Sequence, residues 1–294
     1  MSGRVVMIDG VIVPPEAARV SVYDRGFLFG DAVFEVLRTY AGVPFALDEH
    51  LGRLRRSTER VALSLPVAEG TIGAEVERAV AESRNIESYV RIVVTRGSGP
   101  LSLDPDTARD PLRVVLVEPL TAPGREAYAN GIAAVTVRTR RTVDETSAVG
   151  AKVTNYLASL LAVREAKTRG AAEALIVDAL GKVVEGATSN VFVVKGGRTT
   201  TPPESAGILP GITRAHILVA AAGLGPAVEE RELMPDDLYE ADEVFITSSI
   251  REVLPVVTVD DRRVGSGLPG PVCRKLHRAL RAVVGVSSWP MPWE

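Results

Sequence analysis

Apolar positions recur every second residue in short runs, and every third or fourth residue in longer stretches between them. The chain therefore reads as a mixed α and β protein. Arg4–Ile8 and Val11–Val13 flank Asp9-Gly10, a two-residue hairpin signal. Ser21–Gly30 is a polar, glycine-bearing loop. Ala32–Tyr40 alternates as a strand, with Phe34, Val36 and Arg38 on one face and Val33, Glu35 and Leu37 on the other. Asp48 predicts the cap of a helix running to about Leu63, with Leu51, Leu54, Thr58 and Val61 inward. Its arginines Arg53, Arg55, Arg56 and Arg60 read as a solvated face, or one of them could bind a phosphate, whose geometry a guanidinium matches. A helix over Thr71–Arg84 follows, then strands over Tyr89–Arg96 and Leu112–Val117. Tyr89, Arg91, Val93 and Thr95 share one strand face. Leu101–Pro111 is long for a hairpin loop, so it is either functional or crosses to a partner.

Pro119 and Pro123-Gly124 punctuate the chain. They place a linker at 119–125 between a small domain at 1–118 and a larger one at 126–285, with a tail at 286–294. In the larger part, Ile132–Thr139 is a strand and Arg140–Gly150 a polar loop. Thr154 reads as the N-cap of a helix to about Arg169, with Leu157, Leu160 and Leu161 as its buried stripe. Ala174–Val177, Val183–Glu185 and Val191–Val194 read as strands, the last two joined by a polar elbow at Gly186–Asn190. Gly196-Gly197 turns the chain into Thr199–Thr201. A Pro-Gly turn leads into a helix over Thr213–Ala222, stopped by Gly223. Glu243–Thr247 and Val256–Val259 are strands. Pro271–Val284 is a last helix with Val272, Leu276, Leu280 and Val283 inward. The Pro- and Trp-rich tail Trp289–Glu294 either docks or lies loose.

Composition narrows the classes. The 294 residues are 46% hydrophobic and 24% charged, ordinary for a globular chain with room for two cores. A net charge of −3 gives no basic footprint for nucleic acid. One cysteine, Cys273, excludes an internal disulfide framework and fits a reducing cytoplasm. No apolar run approaches a membrane span, and the first residues lack a secretory pattern. Nothing indicates a metal.

The candidate chemistry centres on Gly150–Val194. A lysine amine such as Lys152 can form a Schiff base with an aldehyde cofactor, and a carboxylate such as Glu185 can partner a protonated pyridine nitrogen. Each residue alone also reads as an ordinary surface charge. Phe34, Val36 and Arg38 could line a pocket for an apolar carboxylate, or form a half-buried strand with Arg38 in solvent. The start of the Thr213 helix and the hydroxyls of Ser248-Ser249 could hold an anion, or serve as a routine cap and turn.

Together these pieces resemble the fold-type IV pyridoxal-phosphate enzymes: the branched-chain and D-amino-acid aminotransferases, (R)-amine transaminases and aminodeoxychorismate lyases. The matching segments are SVYDRGFLFGDAVFE, HLGRL, YVRIVVTRG, KVTNY, EALIVDALGKVVEGATSNVF, ILPGITR and DEVFITSSIREVLPV, in that order, within roughly residues 5–284. The resemblance implies a small α/β domain and a larger domain with a β-barrel-like core. It implies pyridoxal 5′-phosphate held by Lys152 as a Schiff base, with Lys152 also moving the proton. It assigns Glu185 to the pyridine nitrogen, Tyr156 to the phenolic oxygen, Leu209 to the ring and Asn190 to the wall behind it. Arg53, Ile212, Thr213, Ser248 and Ser249 would hold the phosphate. Phe29, Phe34, Val36, Arg38, Tyr89, Arg91, Leu101, Leu103 and Ile250 would line the substrate pocket. Phe34, Arg38, Tyr89 and Arg91 look like the branched-chain pattern, but Val36 stands where that group usually has glycine. FGDAVFEV looks more like the D-amino-acid and lyase groups, whose Arg-x-His carboxylate trap is Leu101-Ser102-Leu103 here. The implied activity is transfer of an amino group from an apolar, branched-chain-like amino acid to a 2-oxo acid. D-amino-acid or (R)-amine transamination is the alternative, and the lyase reaction a second one. The family also implies a homodimer, with the site near the interface.

Overall fold

The computed structural model describes residues 3–139, 148–223 and 228–294, so most of the expected loop at Arg140–Gly150 lies outside the described residues. Contacts divide the chain into two units. One takes Met1–Thr121 with Glu145–Asn155, and the other Ala122–Asp144 with Tyr156–Glu294. The segment carrying Lys152 thus packs with the first unit, not with the larger C-terminal part in which its sequence position lies.

The first unit contains β1 (Val5–Ile8), β2 (Val11–Val13), α1 (Arg25–Phe29), β3 (Ala32–Tyr40), β4 (Val43–Pro44), α2 (Leu47–Arg60), α3 (Glu69–Ser83), β5 (Ser88–Thr95) and β6 (Arg113–Pro119). Its sheet runs β2-β1-β6-β5-β3-β4, with every pair antiparallel. Val33 and Leu37 of β3 meet Val90 and Ile92 of β5, Leu51 and Leu54 of α2 and Ile72 and Val76 of α3 in one buried core. Burying side chains of this size stabilises by about 1.5–3 kcal/mol each before chain entropy is counted.

Three local features differ from the sequence reading. The Ser21–Gly30 loop contains α1, because Asp24 accepts the Gly26 N–H at 2.8 Å and caps a short turn of helix. In α2, the capping position is Ala46 in the left-handed region, φ 52°, and Asp48 lies inside the first turn. The arginines are not one solvated face either: Arg53 is buried against Glu35.

The second unit contains α4 (Arg125–Asn130), β7 (Ile132–Arg138), α5 (Leu157–Thr168), β8 (Glu173–Val177), β9 (Val183–Gly186), β10 (Asn190–Lys195), β11 (Arg198–Thr201), α6 (Ile212–Ala222), β12 (Glu229–Glu230), α7 (Pro235–Tyr239), β13 (Glu243–Ser248), β14 (Glu252–Val259), β15 (Arg262–Arg263) and α8 (Pro271–Val283). The path β10-β13-β14-β7-β8-β9 curls until β9 returns beside β10, where the Gly186 N–H donates to the Ser189 carbonyl at 2.7 Å. The expected barrel-like core follows. Leu175, Val177, Val183, Val191, Val193, Val244, Ile246, Leu254 and Val256 come from five strands and meet inside it, with Ala134 from the sixth. Outside, α5 packs on β7 and β8 through Ala162 and Ala166. Ile217 of α6 and Leu276 and Leu280 of α8 cover Phe192 and Phe245.

Helix α5 corrects two expectations. It begins at Leu157, three residues past Thr154, because Val153 bridges Val33 and the Thr154 N–H is taken by the Ala32 carbonyl. Its inner face is the small pair Ala162 and Ala166, while Leu157, Leu160 and Leu161 are 61%, 63% and 55% exposed. Similarly, Val283 of α8 faces outward. Gly211, not Thr213, occupies the N-cap of α6. The tail docks: Trp293 meets the His277 ring edge-on at 5.2 Å, and Arg281 donates to the Pro290 carbonyl at 2.7 Å.

Each unit buries a carboxylate held by a histidine and an arginine. In the first, Glu35 takes a two-pronged bond from Arg53 and lies 2.7 Å from His50 Nδ1. In the second, Glu252 is held by His277 and Arg281. Burial alone raises a carboxyl pKa, but the basic partners outweigh it and hold both groups at about 2. The ordinary value is 4.5, so these bonds stabilise the fold above that pH and are lost as pH falls toward 2. Melting temperature measured from about pH 5 downward should fall steeply across this window. Replacing Glu252 with Gln should flatten that fall and cost about 3–5 kcal/mol at neutral pH, since Arg281 is left buried without its carboxylate. A pH profile unchanged by E252Q contradicts this assignment.

Candidate active site

In the first unit the site is built on the β3–β5 register. Arg38 stands opposite Tyr89, Val36 opposite Arg91 and Phe34 opposite Val93, so all six share one face. The extended segment at Lys152–Thr154 adds to the edge of β3. Phe34 N–H donates to the Lys152 carbonyl and Thr154 N–H to the Ala32 carbonyl, each at 2.9 Å. This stitching brings the Lys152 amine to 4.5 Å from the centroid of the Phe34 ring. The Arg91 guanidinium lies 4.1 Å from the same centroid. An amine and a guanidinium therefore meet on one aromatic ring, beside the small apolar Val36. A cation over a ring face is favoured by the ring quadrupole, by about 0.5–2 kcal/mol.

Arg38 does not reach solvent. It is buried, stacks 4.3 Å from the Tyr40 centroid and donates Nε–H to the Thr39 carbonyl at 3.2 Å. Phe29 lies under the Arg25 guanidinium, at 5.0 Å. Leu101 and Leu103 are exposed, on a loop that Arg25 grips through the Ser102 and Leu103 carbonyls.

Glu35 alternates with Phe34 and so faces away from the Phe34 side, toward α2. There it meets Arg53 and His50. Burial lowers the His50 pKa. The charges of Arg53 and Lys152 add to that, and together they outweigh the upward pull of Glu35. His50 is thus held neutral at neutral pH, with its Nδ1–H donated to Glu35. Arg53, assigned by resemblance to a phosphate, commits Nε and one terminal nitrogen to this carboxylate.

In the second unit a bulge aims Glu185. Regular alternation from Val183, inside the barrel, would put Glu185 inside as well. The register shift instead sets Glu185 opposite the outward-facing Ile176. There it accepts the Leu209 N–H at 3.0 Å, while Asn190 Nδ2 donates to the Leu209 carbonyl at 3.1 Å. The ILPGITR turn is thereby fixed, and α6 starts without a side-chain cap, its first amides at Ile212 and Thr213. A Cβ on Gly211 would fall 1.9 Å from Asn190 Oδ1, so a larger residue here would push the Asn190 amide off the Leu209 carbonyl. Thr247, opposite Asn190 in register, has a buried hydroxyl with no hydrogen-bond partner. Ser248, Ser249 and Ile250 follow it, partly buried, where β13 turns into β14. Arg251 ties that turn to Glu173 and to Thr188 in the elbow. Tyr156 stands at the N-cap position of α5, partly buried.

Glu35, His50, Ser57, Thr247 and Arg251 were not singled out in sequence. For His50 and Ser57 a signal existed: with Arg53 they recur at helical spacing as a polar stripe beside the leucines of α2. Among the described residues no cluster of His, Cys, Asp and Glu is arranged to hold a metal, and no helix is long and apolar enough to cross a membrane.

Comparison with known proteins supplies the family. The sequence matches the amino-transferase class IV family over residues 32–259. It is 37% identical to a putative branched-chain-amino-acid aminotransferase of Methanocaldococcus jannaschii over 95% of this chain and 96% of that one. It is 33% identical to the D-alanine aminotransferase of Bacillus licheniformis, over 94% and 95% of the two chains. Among solved structures, a T.th. branched-chain amino acid aminotransferase with pyridoxamine 5′-phosphate superposes with a TM-score of 0.90. That likeness covers 97% of this chain and 95% of that one, at 33% identity. An amine and a guanidinium on one strand face, an outward carboxylate beside an uncapped helix start, and full-length matches of this kind lead to one conclusion: the chain belongs to the class IV aminotransferases and is a transaminase.

Proposed function

We propose that the protein uses pyridoxal 5′-phosphate to move an amino group from an apolar, branched-chain-like amino acid to a 2-oxo acid, with Lys152 as the proton-transfer residue. The observation that carries this reading is the meeting of Lys152 and Arg91 on the Phe34 ring. It supplies a base, a carboxylate-binding cation and an apolar wall on one face.

The donor set fits the cofactor. Glu185 would pair with its ring nitrogen, and Tyr156 with its phenolic oxygen. Leu209 and Asn190 would back the ring. The amides of Ile212 and Thr213, the hydroxyls of Ser248 and Ser249, and Arg53 would hold its phosphate. The uncapped start of α6 suits an anion, and the unpartnered Thr247 hydroxyl, opposite Asn190 on β10, has a donor to offer. When bound, the cofactor supplies an aldehyde for amine capture and a ring that takes up the electron pair left at Cα.

The chain's own residues do the rest. Lys152 would take the proton from the substrate Cα and deliver it to the carbon across the amine nitrogen, both within reach of a side chain that leaves a pinned backbone. Arg91 offers the fork that matches a substrate carboxylate, and Tyr89 shares its strand face. Phe34 and Val36 favour an aliphatic side chain. Val36 narrows that wall, which changes preference among substrates by a modest factor and not the reaction. Arg38, Phe29, Leu101 and Leu103 would form the outer pocket. The single buried Cys273 supports a cytoplasmic setting.

Mixing the cofactor-loaded protein with L-leucine, D-alanine and (R)-1-phenylethylamine separately, and following the cofactor absorbance, should give fast conversion with L-leucine. Replacing Lys152 with Ala should slow that conversion by about a thousandfold or more. Conversion with D-alanine alone would move the substrate to the D-series, in line with the second relative. No conversion with any of the three would count against a transaminase with this pocket.

We also infer a homodimer, supported by the exposed apolar face of Leu157, Leu160 and Leu161 on α5. Light scattering should return twice the 31.3 kDa chain mass, and L160E should shift it toward the monomer. A monomeric parent protein at micromolar concentration would contradict the assembly.

A further inference from the structure

Helix α2 buries three polar side chains on one face: His50, Arg53 and Ser57. A buried polar stripe is costly unless each member is satisfied, so its partners identify its role. His50 and Arg53 hold Glu35 on β3. Ser57 holds something else: its Oγ accepts the backbone N–H of Lys152 at 3.1 Å. Ser57 is 1% exposed, and α2 packs on β3 through Leu51 and Leu54. The Lys152 carbonyl is meanwhile held by Phe34 N–H. Both peptide groups flanking the Lys152 Cα are therefore fixed, one by the sheet and one by the helix.

We propose that Ser57 is a positioning residue for Lys152. It rests on the reading of Lys152 as the proton-transfer residue. Two bonds on opposite sides of one Cα fix the direction in which the side chain leaves the backbone. With only the strand bond, the Lys152 backbone can rotate about its own φ, and the amine four carbons away moves by far more than the backbone does. Proton transfer depends on the amine lying within hydrogen-bond reach of the carbon it serves, so this freedom lowers turnover more than substrate binding. The same helix turn sets Ser57 one turn beyond Arg53. A single rigid element thus governs both the lysine backbone and the guanidinium assigned to the phosphate.

The test uses S57A, S57T and a packing control, V76A, in the core of the same unit. Alanine is the best helix former, so S57A keeps α2 intact. Two readouts are taken. The first is hydrogen exchange of the Lys152 amide in cofactor-free protein. The second is kcat and KM of the loaded enzyme with its amino donor. S57A should speed Lys152 exchange and lower kcat, each by about tenfold, with KM changed less than about twofold. S57T keeps the hydroxyl and should restore slow exchange and most of kcat. V76A should lower the melting temperature and leave both readouts near the parent. Unchanged Lys152 exchange in S57A, or the same losses in V76A, overturns the proposal. A parent protein that takes up no cofactor sinks the transaminase reading instead, and the exchange result still decides the role of Ser57.

Discussion

The backbone hydrogen bonds that stitch residues 152–154 to the edge of β3 are the constraint on which the rest of the site depends. They make Val153 a neighbour of Val33 and put the Lys152 amine over the Phe34 ring. Without them, Lys152 would be a lysine on a connection between a strand and a helix, with no fixed direction. With them, it shares a strand face with Arg91, Val36 and Tyr89, all placed by the β3–β5 register. Because that register alternates, the same strand sends Glu35 the other way into the Arg53–His50 knot. A slip of one residue would exchange the two faces, so the site and the core of the first unit are specified by one choice of pairing.

The second unit solves a different problem. A barrel buries one face of every strand, and a carboxylate on an inner position would be expensive. The bulge between Val183 and Glu185 uses one extra residue to turn Glu185 outward, where the Leu209 amide receives it. Asn190 holds the other end of the same peptide segment, and the close approach of Gly211 lets α6 begin there uncapped. The carboxylate, the turn and the helix start are parts of one hydrogen-bonded arrangement.

Much of this was legible in the sequence. Ala32–Tyr40 as a strand and the alternation of Phe34, Val36 and Arg38 need only a period of two. The barrel strands announce themselves as apolar runs between glycine and polar turns. What the sequence hid depends on long-range partners. Thr154 has the chemistry of an N-cap, but its N–H is claimed by Ala32 and the helix waits until Leu157. Leu157, Leu160 and Leu161 have helical spacing, yet the face that packs inward is alanine, because α5 sits close on β7 and β8. Arg53 looked like one solvated arginine among four, and only the carboxylate on a neighbouring strand tells it apart. Periodicity reports that a face exists; it does not report what covers it.

Lys152, positioned by β3 and α2, is proposed as the lysine that carries the cofactor. The most direct test is to load the protein with pyridoxal 5′-phosphate, reduce it with borohydride, and map the modified peptide by mass spectrometry. One phosphopyridoxyl group per chain is expected, on the peptide containing Lys152, and the preference for that peptide should vanish when the protein is unfolded by denaturant before loading. A label confined to another lysine, such as Lys182 or Lys195, or no label at all, would contradict it.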